Sequence, residues 1–81
     1  MALGSPTKRS VTIAGHETSI SLEPIFWQAL ERAARADNIP VNALIARIDV
    51  ERLEGPDRAP NLTSAIRQWL FLGALSDRGD E

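Results

Sequence analysis

His16 is the only histidine in this 81-residue chain, and nucleophilic catalysis would need it to meet a serine while a third group holds the ring. No spacing in the sequence sets up that meeting. His16 follows Gly15 at an expected turn, where polar side chains are ordinarily solvated, so it is read as a turn residue. A metal site is no better supported, because one histidine and scattered carboxylates give neither CxxC nor HExxH spacing, and cysteine is absent. No glycine-rich phosphate loop is found either. The chain is therefore expected to be no enzyme and to need no cofactor. Phe26, Trp27, Trp69 and Phe71 could stack on bases only from an exposed sheet with basic neighbours. They fall instead on helix-forming stretches at core-like positions, which points to a core or an interface between copies.

The stretch that must position everything else is Glu17 to Leu44. Thr18, Ile20 and Leu22 alternate with Glu17, Ser19 and Ser21, as the period of two in a strand requires. Pro24 ends that strand and suits the first position of a helix, where its missing N–H costs nothing. Phe26, Leu30, Ala33 and Ala34 then recur at helical spacing, with Trp27 flanking and Glu31, Arg32 and Arg35 pointing away, so a first amphipathic helix is expected over Ile25 to Ala36. Asp37-Asn38-Ile39-Pro40 ends it, since Asn tolerates the left-handed conformation and Pro commonly follows a helix. A second helix over Val41 to Leu53 lines Val41, Leu44, Ile45 and Ile48 on one face. Gly55, Pro56 and Pro60 break it. Asn61 is a good N-cap for a third, whose stripe of Leu62, Ala65, Ile66, Trp69 and Leu70 is widened by Phe71 and Leu72. That helix is more apolar than a lone surface helix needs to be, and a symmetric dimer would bury it.

Upstream, KRSVTIAG alternates and is rich in β-branched residues, with Arg9, Val11 and Ile13 on one side and Ser10, Thr12 and Ala14 on the other. If Gly15 and His16 form a two-residue turn, Ile13 faces Thr18, Val11 faces Ile20 and Arg9 faces Leu22, which gathers the apolar residues on one face. The other reading of Lys8 to Gly15 is an arm that breaks at Gly15. Residues 1–7 are expected to be disordered, 8–75 to form one domain of mainly α, α+β class, and 76–81 to be a charged tail. A chain this short buries only about 60% of its unfolded surface, so a partner chain would help. The net charge of −2 argues against a generic nucleic-acid binder but leaves room for a local basic patch. With no secretory-type apolar core in Met1 to Pro6, no membrane-length stretch and no disulfide framework, a soluble, cytoplasmic protein without membrane contact is expected.

SISLEPIFWQALERAA, NIPVNALI and NLTSAIR, with KRSVTIAG in front, resemble the ribbon-helix-helix family of bacterial DNA-binding proteins, in particular a branch of small uncharacterised ones, from about Lys8 to Leu72. The resemblance implies an intertwined homodimer with an N-terminal hairpin or arm and an extra C-terminal helix. Its interface would be built on Ile20, Leu22, Phe26, Leu30, Leu44, Ile45, Ile48 and Trp69. It further implies that the ribbon enters the major groove of double-stranded DNA, with outward residues Glu17, Ser19 and Ser21 towards the bases and the amides of Val41 and Asn42 on a phosphate. Lys8 and Arg9 would add phosphate contacts from the ribbon or from a mobile arm.

This sequence departs from the family pattern in three ways. Ser and Glu replace the residues that make bidentate base contacts, and Pro40 stands where a capping hydroxyl is common. Two hairpins side by side would also make a four-stranded sheet, spanning roughly three gaps of about 4.8 Å, too wide with side chains for a groove of about 12 Å. The alternative is a homodimeric module that binds another protein and no DNA.

Overall fold

The segment from Lys8 to Gly15 is a hairpin strand with its turn, and not an arm. In the computed structural model, which describes residues 3–56 and 58–79, β1 (Thr7–Ile13) and β2 (His16–Leu22) pair as an antiparallel hairpin. The alternation of both segments dictates which face each side chain takes, and the faces are as the sequence implies. The register is not. Ile13 lies opposite His16, Val11 opposite Thr18, Arg9 opposite Ile20 and Thr7 opposite Leu22, a shift of two positions from the expected pairing. The turn is Ala14-Gly15 rather than Gly15-His16, and both residues have positive φ, 51° and 81°.

That is the signature of a type I′ turn, whose twist matches the twist of the strands it joins. Holding Ala14 in the left-handed region costs on the order of 1–2 kcal/mol. The shifted register recovers part of that cost at the other end of the hairpin. There the carbonyl oxygen of Thr7 accepts a hydrogen bond from the Trp27 indole N–H at 2.8 Å, and Arg9 sits 4.6 Å above the Trp27 ring. A two-residue shift leaves the faces intact, since the side-chain period is two.

Helix α1 (Pro24–Ala36) starts on Pro24 at its first turn, as the ring geometry of proline favours. It ends in a Schellman arrangement: Asn38 takes φ 57°, Ile39 N–H donates to the Ala34 carbonyl at 3.0 Å, and Asn38 N–H donates to that of Arg35 at 3.1 Å. These bonds satisfy carbonyls that the helix end would otherwise leave open. Helix α2 (Val41–Glu54) follows directly. Helix α3 (Leu62–Gly79) is capped by Asn61, whose Oδ1 accepts from Ser64 N–H at 2.8 Å. Because α3 runs to Gly79, helix extends into the segment expected as tail; Asp80 and Glu81, like Met1 and Ala2, lie outside the described residues.

Four elements close one core. Val11, Ile20 and Leu22 come from the hairpin, Trp27, Leu30 and Ala34 from α1, Leu44, Ile45 and Ile48 from α2, and Ala65 and Ile66 from α3. Helix α2 is central and packs against β1, α1 and α3. The core aromatic of α1 is Trp27, 1% exposed, while Phe26 is half-buried beneath Arg67. This reverses the roles expected for the two rings. With the helix starting at Pro24, Trp27, Leu30 and Ala34 form its inward stripe.

Most of the residues expected at an interface between copies lie in this core. Ile20, Leu22, Leu30, Leu44, Ile45 and Ile48 are all buried within a single chain, and only Phe26 and Trp69 of the eight stay half-open. The reason is that β1 lies beside β2, and α3 lies over α1 and α2, where a second copy was expected to supply the cover.

Candidate nucleic-acid interface

The period of two that buries Val11, Ile20 and Leu22 necessarily turns the intervening residues outward. Lys8 faces Ser21, Ser10 faces Ser19 and Thr12 faces Glu17 across the hairpin, and all six are exposed. The outer face of the ribbon is thus three polar pairs with no apolar side chain. It carries one cation, Lys8, and one carboxylate, Glu17. Hydroxyls supply most of its hydrogen-bonding capacity, each able both to donate and to accept.

Of the residues singled out for DNA contact, Lys8, Ser19 and Ser21 are brought together on this face. Arg9 is not among them. It lies on the opposite face, where Nη1 meets Glu31 Oε2 at 3.1 Å and the guanidinium covers Trp27. Arg9 therefore clamps β1 to α1, although the pair with Glu31 is nearly half exposed and screening leaves it worth at most about 1 kcal/mol. Ser10 and Thr12 join the outer face although no role was assigned to them; the alternation of KRSVTIAG was the signal that places them there.

Val41 and Asn42 occupy the first turn of α2 after Pro40, which has no side chain able to cap. The Pro40 carbonyl accepts from Ala43 at 3.0 Å and from Leu44 at 3.1 Å, so the two amides ahead of them are the ones left for an external acceptor. Val41 is half-buried against the core and Asn42 is exposed. Close by in sequence, Asp37 is held by Arg47 at 2.9 Å, an arrangement that offsets the carboxylate at this corner.

The junction of ribbon and helices is fixed from below by a pair that the sequence did not reveal. Arg67 on α3 reaches Glu23 with Nη2 to Oε1 at 2.9 Å and to Oε2 at 3.2 Å, while its guanidinium lies 5.6 Å from the Phe26 ring. These hydrogen bonds hold the Glu23 carboxyl below the usual glutamate value, with its own backbone N–H adding to the effect.

An antiparallel two-stranded ribbon feeding two consecutive helices defines a ribbon-and-helix class of small domain. The family model described as ribbon-helix-helix domain matches residues 6–73, and the chain belongs to that family. Its members are typically DNA-binding transcription regulators, generally dimeric and generally non-enzymatic. No curated protein and no solved structure matches the chain. Among the described residues there is no cluster of ligands suited to a metal ion, and no helix is long and apolar enough to cross a membrane.

Proposed function

We propose that this chain is a double-stranded DNA-binding protein, a transcription regulator of the cytoplasm, that presents its own hairpin to the major groove. The observation that carries this reading is the all-polar outer face, Lys8, Ser10 and Thr12 paired with Ser21, Ser19 and Glu17, on a sheet of two strands. Two strands about 4.8 Å apart suit a groove about 12 Å wide, whereas four would not. Because one chain supplies both strands, each copy carries a complete ribbon. Lys8 and the amides of Val41 and Asn42 serve phosphates, and Ser19 and Ser21, with Ser10, face base edges. With hydroxyls in place of arginine, amide or lysine groups on most of that face, direct readout is weak, and recognition leans on shape and backbone contact.

Fluorescence anisotropy with duplex DNA at low and at moderate salt tests the reading. The expected result is binding at low salt that weakens as salt rises; no binding even at low salt overturns it. The balance of Lys8 against Glu17 favours a second reading, in which the same face docks a protein. A partner retained from nuclease-treated lysate on an immobilised chain that fails to bind duplex DNA would move the assignment there.

A further inference from the structure

We propose that Glu17 sets the base preference of the ribbon, by accepting a hydrogen bond from the amino group of a cytosine in the major groove. The proposal rests on the DNA-binding reading above and adds to it the identity of a base. Glu17 lies on the outer face opposite Thr12 and is exposed. The ion pairs among the described residues join Arg9, Arg47, Arg52 and Arg67 to other carboxylates, so Glu17 is left uncompensated. The one other charge on its face, Lys8, stands four residues along the ribbon, roughly 13 Å away by the rise of a strand.

The width of the ribbon decides what that carboxylate meets. In a pair of strands spaced about 4.8 Å, each lies about 2.4 Å from the midline, whereas the walls of the groove stand about 6 Å from its own midline. An outward side chain therefore reaches the base edges on the floor before the phosphates on the rim. There an ionised carboxylate, which can only accept, finds donors at cytosine N4 and adenine N6 alone. Adenine sets its N7 acceptor beside N6, and guanine and thymine present only acceptors. Cytosine is the base that offers a donor with no acceptor of its own next to it. The hydroxyls of Ser10, Thr12, Ser19 and Ser21 cannot discriminate in this way, since each turns to donate or to accept. Of the six outward residues, only Lys8 and Glu17 have a fixed hydrogen-bonding sense. With Lys8 engaged by phosphate, Glu17 is the one that chooses a base.

A pool of duplexes with a randomised centre, retained on the immobilised chain at low salt and sequenced, tests this. The native chain should enrich cytosine at least about fivefold at one position of the aligned sites. Glu17→Gln, whose amide can bind adenine N6 and N7 together, should move that enrichment to adenine, and Glu17→Ala should lose it. N4-methylcytosine at the enriched position replaces the groove-side hydrogen of the amino group. By fluorescence anisotropy it should weaken the native chain about fivefold and leave Glu17→Ala unaffected. Because Glu17 is exposed and unpaired among the described residues, both variants should keep the circular dichroism of the native chain. The same base preference in the native chain and in Glu17→Ala would overturn the proposal. So would a Glu17→Ala that binds every duplex more tightly by one common factor, since the carboxylate would then act only by repelling phosphates; in both cases DNA binding itself would stand. A native chain that retains no duplex even at low salt would overturn the DNA-binding reading and this proposal with it.

Discussion

The indole N–H of Trp27 donates to the carbonyl oxygen of Thr7 at 2.8 Å, tying the first residue of β1 to the first turn of α1. The bond spans twenty positions and closes the hairpin onto the helices at the end opposite its turn. Trp27 is buried, so its N–H must find a partner, and the register of the hairpin supplies one. Trp27→Phe keeps most of the packing but loses the donor and weakens the stacking of Arg9. It should cost about 1–2 kcal/mol, against about 3–5 kcal/mol for Trp27→Ala. Urea unfolding followed by circular dichroism gives the totals. Hydrogen exchange in Trp27→Phe should speed up first in Thr7 to Ile13; uniform acceleration along the chain would show that the bond does not anchor the strand.

The pair between Glu23 and Arg67 makes stability depend on acid. Hydrogen bonds from Arg67, and then from the backbone of Glu23 itself, depress the carboxyl below its usual value. The stabilisation is therefore fully present above the unfolded glutamate value of about 4.3 and is lost as pH falls through the lower, folded-state value. In thermal melts the native chain should lose more stability than Glu23→Gln between about pH 5 and about pH 3, while the other carboxylates contribute equally to both. Parallel curves would mean that the contact carries no net coupling. Since Glu23 is reached by solvent, salt should shrink the difference.

Ala14 occupies a position that the turn would rather give to another residue. With φ 51° at Ala14 and 81° at Gly15, both central positions are left-handed, and asparagine followed by glycine is the favoured pair for such a turn. Ala14→Asn should stabilise the chain by about 1 kcal/mol, relieving the Cβ strain of alanine. For a domain of this size that corresponds to a rise of roughly 4–8 °C in melting temperature. Gly15→Ala should do the reverse. A gain from Gly15→Ala would contradict the turn described here.

This turn also marks where the sequence stops being legible. Alternation assigns every strand residue to its face, because period two survives any even shift, but it cannot distinguish one even register from another. The observed register is the one that brings the Thr7 carbonyl to the Trp27 indole, a contact between residues far apart in sequence. The expected two-residue turn at Gly15-His16 followed from glycine alone, and nothing local announced that Ala14 would accept positive φ. Helix ends were legible where chemistry is local, as at Pro24, Asn38 and Asn61. The partitioning of apolar surface between one chain and two was not, since a stripe such as Leu44, Ile45 and Ile48 reads the same whether α3 or another copy covers it. On the ribbon, alternation separated Lys8 from Arg9, but only the structure showed Arg9 engaged with Trp27 and Glu31.

That separation gives the two neighbouring cations opposite expected behaviour in DNA binding. Lys8 is exposed on the outer face and makes no ion pair among the described residues, so a phosphate can displace its bound water at little structural cost. Lys8→Ala should lower the slope of log affinity against log salt by about 1 per chain engaged, with stability within about 0.5 kcal/mol of native. Arg9 would have to leave Trp27 and Glu31 to reach a phosphate. Arg9→Ala should therefore leave the salt slope unchanged while destabilising the fold by about 1 kcal/mol, the scale of a partly exposed cation stacked on tryptophan. Anisotropy titrations over a salt series, paired with urea unfolding of the same variants, separate the two effects. Equal loss of slope in both variants would show that the hairpin meets DNA with its inner edge as well as its outer face, and the assignment of Ser10, Ser19 and Ser21 to the base edges would then have to be abandoned.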